Sequence, residues 1–174
     1  MALFEEWQKL AEANSKNQQA YQNFWNTYFD SETNMYARLL EETEPVTGTV
    51  AALAEKFGVD TMTMTGFLDG INDSLKSPNP LETMEADTVV SLDYDTEKLY
   101  YNMVGAKADW LYNLPQWDHL LSEERRKELY KEEHASHTIV KGPKIGRNDP
   151  CPCGKMKPDG SRRLKYKECC GSKE

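Results

Sequence analysis

All four cysteines of this 174-residue chain lie in one C-terminal segment, GRNDPCPCGKMKPDGSRRLKYKECCG, which begins at Gly146. They form two close pairs, Cys151-x-Cys153 and Cys169-Cys170, separated by fifteen residues. Zn²⁺ prefers a tetrahedral shell of thiolate and imidazole ligands, and structural sites fill every position with protein. A segment this short cannot bury an adequate apolar core, so metal binding would supply its folding free energy. The pattern therefore predicts a closed four-cysteine zinc site, with redox chemistry at the vicinal pair as the alternative.

Charge is distributed unevenly along the chain. Residues 141–174 carry a net charge of +6, whereas residues 1–140 carry −14. An acidic body with a basic tail is typical of an interaction arm, although such a tail can also lie back on its own body. No N-terminal stretch has the pattern of a signal peptide, and no run approaches the ~18 apolar residues that span a membrane. We therefore expect a cytoplasmic protein without membrane insertion, in which clustered thiols indicate metal or redox chemistry.

Apolar residues recur at helical spacing through most of the body, which predicts a mainly α fold. The expected organisation is a helical domain over residues 1–137, a linker over 138–146 and a small zinc-stabilised module over 147–174. Capping residues and turn formers predict where the helices begin and end. We expect a break near Asn14–Lys16, helix starts at Asp30 or Ser31, at Pro45, at Asp60 or Thr61, at Asp95 and at Ser122, and a stop at Gly58. The helix opened by Asp95 is expected to reach Trp110.

The stretches GRNDPCPCG and KYKECCG resemble the SEC-C motif, the small zinc module at the C terminus of the SecA preprotein-translocase ATPase. This resemblance implies four zinc ligands, namely Cys151, Cys153, Cys169 and Cys170. The loop between the pairs is longer than usual for the motif, but its Pro-Asp-Gly turn can bulge outward without moving the ligands. In SecA the module is associated with binding a secretion chaperone, ribosomes and acidic lipid surfaces. The segment DTEKLYYNMVGAKADWLYNLPQWDHLLSEERRKEL also resembles small bacterial proteins that carry this motif, whereas no phosphate-binding loop of a motor is present.

Two features of the body have simpler structural explanations than a functional one. The segment LAEKFGVDTMTMTGFLDGI has the rhythm of a helix-turn-helix, but Asp69 and Asp73 in its second helix would repel DNA phosphates. A packed helical hairpin, with close approach of a neighbour at Gly66 and Gly70, is therefore favoured over DNA recognition. A polar-aromatic cluster further along is interpreted either as a groove for a peptide or basic partner or, preferably, as core tryptophans beside helix-capping acids. Its members are Asp109, Trp110, Asn113, Trp117, Asp118 and His119.

The histidines indicate neither catalysis nor metal binding. The chain has three, His119, His134 and His137, and the sequence places no partner for any of them. The last two lie near the end of a charged helix, where an ordinary interaction with the helix dipole explains them.

Three functions remain open from the sequence. The first is a non-enzymatic adaptor whose basic module docks on a protein, a chaperone or a ribosome. The second is an RNA-binding protein whose module contacts phosphates and stacks on a base. The third is an enzyme with a site in the acidic body, although no catalytic constellation is found there. The candidate partner-binding residues are Arg147, Lys155, Lys157, Arg162, Arg163, Lys165, Tyr166 and Lys167.

Overall fold

The computed structural model describes residues 2–137 and 145–171. The chain divides into two units, Met1–His137 and Thr138–Glu174. Most of the predicted linker, residues 138–144, lies outside the described residues, so the linker remains a prediction. The first unit is helical, and the second contains all four cysteines.

The described part of the first unit contains eight α-helices and one small sheet, which confirms the mainly α fold. The helices are α1 Leu3–Asn14, α2 Gln18–Leu39, α3 Val50–Phe57, α4 Thr61–Asn72, α5 Thr96–Gly105, α6 Asp109–Tyr112, α7 Trp117–Leu120 and α8 Glu123–Ser136. The strands β1 Thr47–Thr49 and β2 Val89–Ser91 pair antiparallel, with Gly48 opposite Val90. Within the described residues, no helix combines the length and the apolar character needed to cross a bilayer.

The first two helices separate where the sequence predicted a break. Asn17 caps α2, because its side-chain oxygen accepts hydrogen bonds from the N–H groups of Gln19 and Ala20. The predicted start at Asp30 or Ser31 is wrong, since α2 continues through both positions. The Ser31 hydroxyl donates to the Thr27 carbonyl oxygen (3.0 Å) and so bonds within the helix rather than capping a new one.

Helices α3 and α4 form the predicted helical hairpin. Gly58 ends α3 in the left-handed conformation (φ 74°), and the N–H of Val59 donates back to the Ala54 carbonyl oxygen at 3.0 Å. Asp60 then caps α4 by accepting from the Thr63 N–H at 2.9 Å. The predicted start at Pro45 is wrong, because residues 47–49 are drawn into β1 and α3 begins only at Val50.

The long helix predicted from Asp95 to Trp110 is interrupted. It ends at Gly105, and Lys107 takes a positive φ of 57° before α6 begins. The N–H of Lys107 donates to Val104 O at 2.9 Å, and that of Ala108 donates to Met103 O at 3.1 Å. These bonds form a Schellman ending that usually uses glycine, so the lysine gave no signal for it.

Trp7 ties α1 to the core through a close approach to α4. Its indole is 6% exposed and packs against Phe24, Trp25 and Tyr28 of α2 at ring-centroid distances of 5.1–6.1 Å. A Cβ atom at Gly66 would lie 2.5 Å from this indole, whereas one at Gly70 would meet nothing closer than the Glu32 carboxylate at 3.6 Å. Close approach is therefore confirmed at Gly66.

The two glycines of α4 should respond oppositely to alanine. Alanine gains roughly 1 kcal/mol of helix propensity over glycine, but overpacking typically costs about 1–3 kcal/mol. We expect Gly66→Ala to lower the free energy of unfolding by up to about 2 kcal/mol and Gly70→Ala to leave it unchanged or raise it. Urea denaturation followed by far-UV circular dichroism measures both, and equal effects would contradict the packing described for Trp7.

Glu32 is the acidic side chain that α2 carries on its buried face. It is 9% exposed, and the hydroxyl of Tyr28 donates to its Oε1 at 3.4 Å. Burial raises the pKa of Glu32 to about 7, an effect that the Tyr28 hydrogen bond only partly offsets. The titratable side chains near Glu32 are Tyr28 and Tyr36, which also belong to α2. Asp69 of α4 faces Tyr28.

This raised pKa makes stability fall as the pH rises. Between the ordinary pKa of 4.5 and the folded-state value of about 7, the folded protein binds more protons than the unfolded chain. We expect Glu32 to lower the free energy of unfolding by up to roughly 3 kcal/mol from pH 4.5 to pH 8. Glu32→Gln should remove this slope and be more stable than the parent at pH 8. Denaturation at several pH values measures the difference, with exposed Glu12→Gln as the control; parallel pH profiles for parent and E32Q would contradict it.

Candidate metal centre

The backbone brings the two cysteine pairs together by antiparallel pairing. The segment before the first pair runs beside the segment before the second, with hydrogen bonds from Cys151 N to Leu164 O (2.7 Å) and from Tyr166 N to Asp149 O (2.8 Å). A 3-10 turn, Tyr166–Glu168, then reverses the chain and delivers the second pair. Residues far apart in sequence thereby enclose one small space.

The four sulfur atoms all lie within 4.8 Å of one another. Cys153 Sγ is 3.3 Å from the sulfurs of Cys151 and Cys169, and the Cys169 and Cys170 sulfurs are 3.9 Å apart. A zinc–sulfur bond length of about 2.3 Å gives a tetrahedron with edges of roughly 3.8 Å. None of the four cysteines forms a disulfide, and the spacing of their sulfur atoms suits a tetrahedral metal shell.

The environment of the thiols favours a thiolate at Cys151. This side chain is fully buried, and the backbone N–H groups of Cys170 and Cys153 point at its sulfur, which lowers its pKa to about 6. The Cys170 thiol donates to the Cys151 sulfur, and this bond raises the pKa of Cys170 to about 12. The cluster thus holds protons that a metal ion would displace on binding.

The long loop between the pairs folds back on itself as a hairpin. Leu164 N donates to Lys155 O and Lys157 N to Arg162 O, both at 2.9 Å, and Met156 bridges to Arg163. The turn includes Gly160, whose φ is 69°, and Asp159 accepts from the N–H and hydroxyl of Ser161. The extra residues are therefore accommodated without separating the predicted ligands.

Arg162 and Glu168 join the hairpin to the 3-10 turn. The guanidinium donates to both carboxylate oxygens, at 3.2 and 3.3 Å, and Glu168 Oε2 also accepts from Lys165 N. Sequence reasoning gave Arg162 only a partner-binding role and did not single out Glu168. No local pattern links the two, because their contact depends on the hairpin bringing them together.

Within the described residues, the group that could hold a metal ion consists of the four cysteines and includes no histidine. His134 Nδ1 and His137 Nε2 lie 3.1 and 2.8 Å from the carboxylate of buried Glu133.

The two tryptophans of the polar-aromatic cluster differ in burial. Trp117 is fully buried and donates its indole N–H to Leu111 O, whereas Trp110 is 43% exposed.

Metal removal should unfold the second unit alone. Structural zinc contributes folding free energy directly, about 10–16 kcal/mol in zinc-finger peptides. We expect chelation, or Cys169→Ser, to abolish the dispersed amide resonances of residues 145–171 and leave the far-UV signal of the helical unit intact. Two-dimensional NMR and elemental analysis check this, and one Zn²⁺ per chain is expected. Asn148→Ser, at an exposed position of the same unit, is the control; a second unit that stays folded after chelation would contradict the prediction.

Comparison with known proteins finds similarity to the protein translocase subunit SecA over short lengths. The protein translocase subunit SecA of Finegoldia magna is 58% identical over 40 residues, which cover 23% of this chain and 4% of that protein. SecA of Polynucleobacter necessarius is 61% identical over 34 residues, 20% of this chain and 3% of the relative. SecA of Carboxydothermus hydrogenoformans is 32% identical over 94 residues, 50% and 10% of the two chains.

This chain therefore spans only 3 to 10% of the length of these three relatives. No protein-family model matches it, and no solved structure does. The short matches and the four-cysteine cluster agree with each other. The C-terminal unit is homologous to the C-terminal region of SecA, the SEC-C module, and its four cysteines could bind a metal ion.

Proposed function

We propose that this chain is a non-enzymatic adaptor whose C-terminal module binds Zn²⁺ through its four cysteines and docks on an acidic surface of a protein or ribosome. Four thiolates form a donor set that zinc accepts in closed structural sites. Homology to the SEC-C module supports zinc as the metal. The adaptor would act in the cytoplasm, where thiols stay reduced and available to a metal.

Uncompensated positive charge on the module is the observation that carries this proposal. Residues 145–171 contain seven Lys and Arg side chains against three acidic ones. Arg162 is engaged by Glu168, but the described residues contain no salt bridge to the other six cations. Four of those six side chains are exposed, namely Arg147, Lys155, Arg163 and Lys167. Such a surface attracts acidic partners and raises their association rate.

The hairpin adds an apolar contact to this basic surface. Met156 is 49% exposed and lies between Lys155 and Lys157 in the sequence. A flexible thioether beside cations is suited to contact with a protein, because it can adapt to an irregular apolar surface. A docking site of this kind would combine electrostatic steering with a small apolar anchor.

RNA binding is the second candidate, and Tyr166 bears on it. Stacking on a base requires an accessible aromatic face. Tyr166 is only half-exposed, and a Cβ atom at Gly171 would overlap the edge of its ring. The ring therefore has a packing role inside the module, which favours a protein partner over a stacked base.

Charge reversal on the module should weaken docking without unfolding it. We expect Arg163→Glu/Lys167→Glu to bind purified bacterial ribosomes at least tenfold more weakly at low salt, because steering by these cations is lost. Arg162 is left unchanged so that its ion pair with Glu168 survives. Co-sedimentation over a range of salt concentrations, and with excess competitor RNA, measures the binding.

A matched control separates surface position from net charge. Lys16→Glu/Lys131→Glu makes the same change in net charge at exposed residues of the helical unit, and it should bind like the parent. Ribosome binding that persists in excess RNA supports a protein contact, whereas full competition by RNA would favour the RNA-binding alternative. Equal loss in both double variants would contradict docking by the module.

A further inference from the structure

The helical unit contains a small cavity that the adaptor role does not use. Its volume is about 270 Å³, close to the lower end of ligand pockets at roughly 300 Å³. Residues of α2, α4, α5 and α6 form its walls, and most of their side chains are apolar. They include Phe29, Tyr36, Leu99, Met103, Trp110 and Leu111.

One carboxylate lies among these apolar walls. Glu32 is nine-tenths buried, and its described hydrogen bond is the long one from Tyr28, 3.4 Å to Oε1. The residues that line the cavity include no Lys, Arg or His to balance a charge at Glu32. An ionised, buried carboxylate without a cation is unfavourable, and a bound cation offsets part of that cost.

Asn102 can contribute a second acceptor to the wall of the cavity. The Asn102 side-chain N–H group donates to Ser74 Oγ at 2.9 Å, which leaves the amide oxygen of Asn102 available. Ser74 and Asn102 both line the cavity. Two acceptors and an apolar wall complement a ligand that brings its own hydrogen-bond donors and positive charge.

Trp110 provides an aromatic surface at the accessible side of the cavity. It is 43% exposed, although large aromatic side chains of this unit such as Trp117 are fully buried. Its ring packs on Phe29 with centroids 5.2 Å apart. Paired aromatic rings beside a carboxylate attract organic cations through the ring quadrupole and apolar contact.

From this arrangement we propose that the cavity binds a small organic amine, with its ammonium group at the Glu32 carboxylate and its apolar part against Phe29 and Trp110. The three donors of a primary ammonium match the acceptors of Glu32 and Asn102. An anionic ligand is excluded because it would meet Glu32 without a compensating cation. A neutral ligand of equal shape would leave the carboxylate unpaired and bind more weakly.

Three probes of one shape but different charge test this inference on the full chain. They are 2-phenylethylamine, 2-phenylethanol and phenylacetate, titrated at pH 8 while the indole N–H resonance of Trp110 is followed by NMR. We expect saturable binding of the amine, at least tenfold weaker binding of the alcohol, and no saturable binding of phenylacetate. Hydrogen bonds to charged groups are strong enough to give a difference of this size.

Variants assign the binding to the cavity rather than to the acidic surface. The Glu32→Gln variant should bind the amine at least tenfold more weakly and bind the alcohol with unchanged affinity. An NMR spectrum typical of a folded protein confirms that the variant is intact. Glu12→Gln removes one exposed charge and should bind the amine like the parent. Equal affinity for amine and alcohol, no saturable amine binding, or an E32Q variant that binds the amine like the parent would each overturn the proposal.

Discussion

The C-terminal unit has almost no apolar interior, so a metal ion held by its four sulfur atoms would have to stabilise its fold. Among residues 145–171, Cys151 is the one that is buried, whereas every helix of the first unit contributes a buried side chain. So little burial cannot offset the conformational entropy lost on folding. Bonds between sulfur and a metal would close that gap, and the short backbone pairing then fixes how the two cysteine pairs meet.

A unit without an interior places nearly all its side chains at the surface, and this links its folding to its proposed role. Its cations remain in contact with solvent because there is no core in which to bury them. The helical unit has the opposite character, with a large apolar core and an excess of acidic residues outside it. The two units thus differ in what stabilises them and in the charge that they present to partners.

Sequence reasoning succeeded where the determinant is local. Gly58, Asp60 and Ser122 mark helix ends through their own backbone preferences or side-chain oxygens, and the structure uses all three. Sequence reasoning failed where a tertiary contact determines the backbone conformation. Lys107 adopts a conformation usually reserved for glycine, and no propensity predicts it. The residues before α3 have a helical sequence pattern, but their pairing with β2 gives them an extended conformation.

The two candidate sites, the cysteine cluster and the cavity at Glu32, show the same contrast between local and tertiary determinants. The cysteine cluster could be predicted because its chemistry is concentrated in two short motifs. Glu32 was missed, although it lies four residues from both Tyr28 and Tyr36 on a face that is otherwise apolar or aromatic. This spacing could have indicated a buried carboxylate, but Glu32 did not stand out among the many acidic residues of the body. The cavity itself involves four helices, so nothing in the chain order indicates it.

The hairpin between the cysteine pairs closes on its own backbone hydrogen bonds, and its tip at residues 158–161 contributes none of the four sulfur atoms. Substitutions or insertions at the tip can accumulate without altering the ligand positions. The surface of such a module can therefore diverge while its four cysteines keep their positions. The cations proposed to recognise a partner could thus be exchanged without changing the cysteines that would hold the metal.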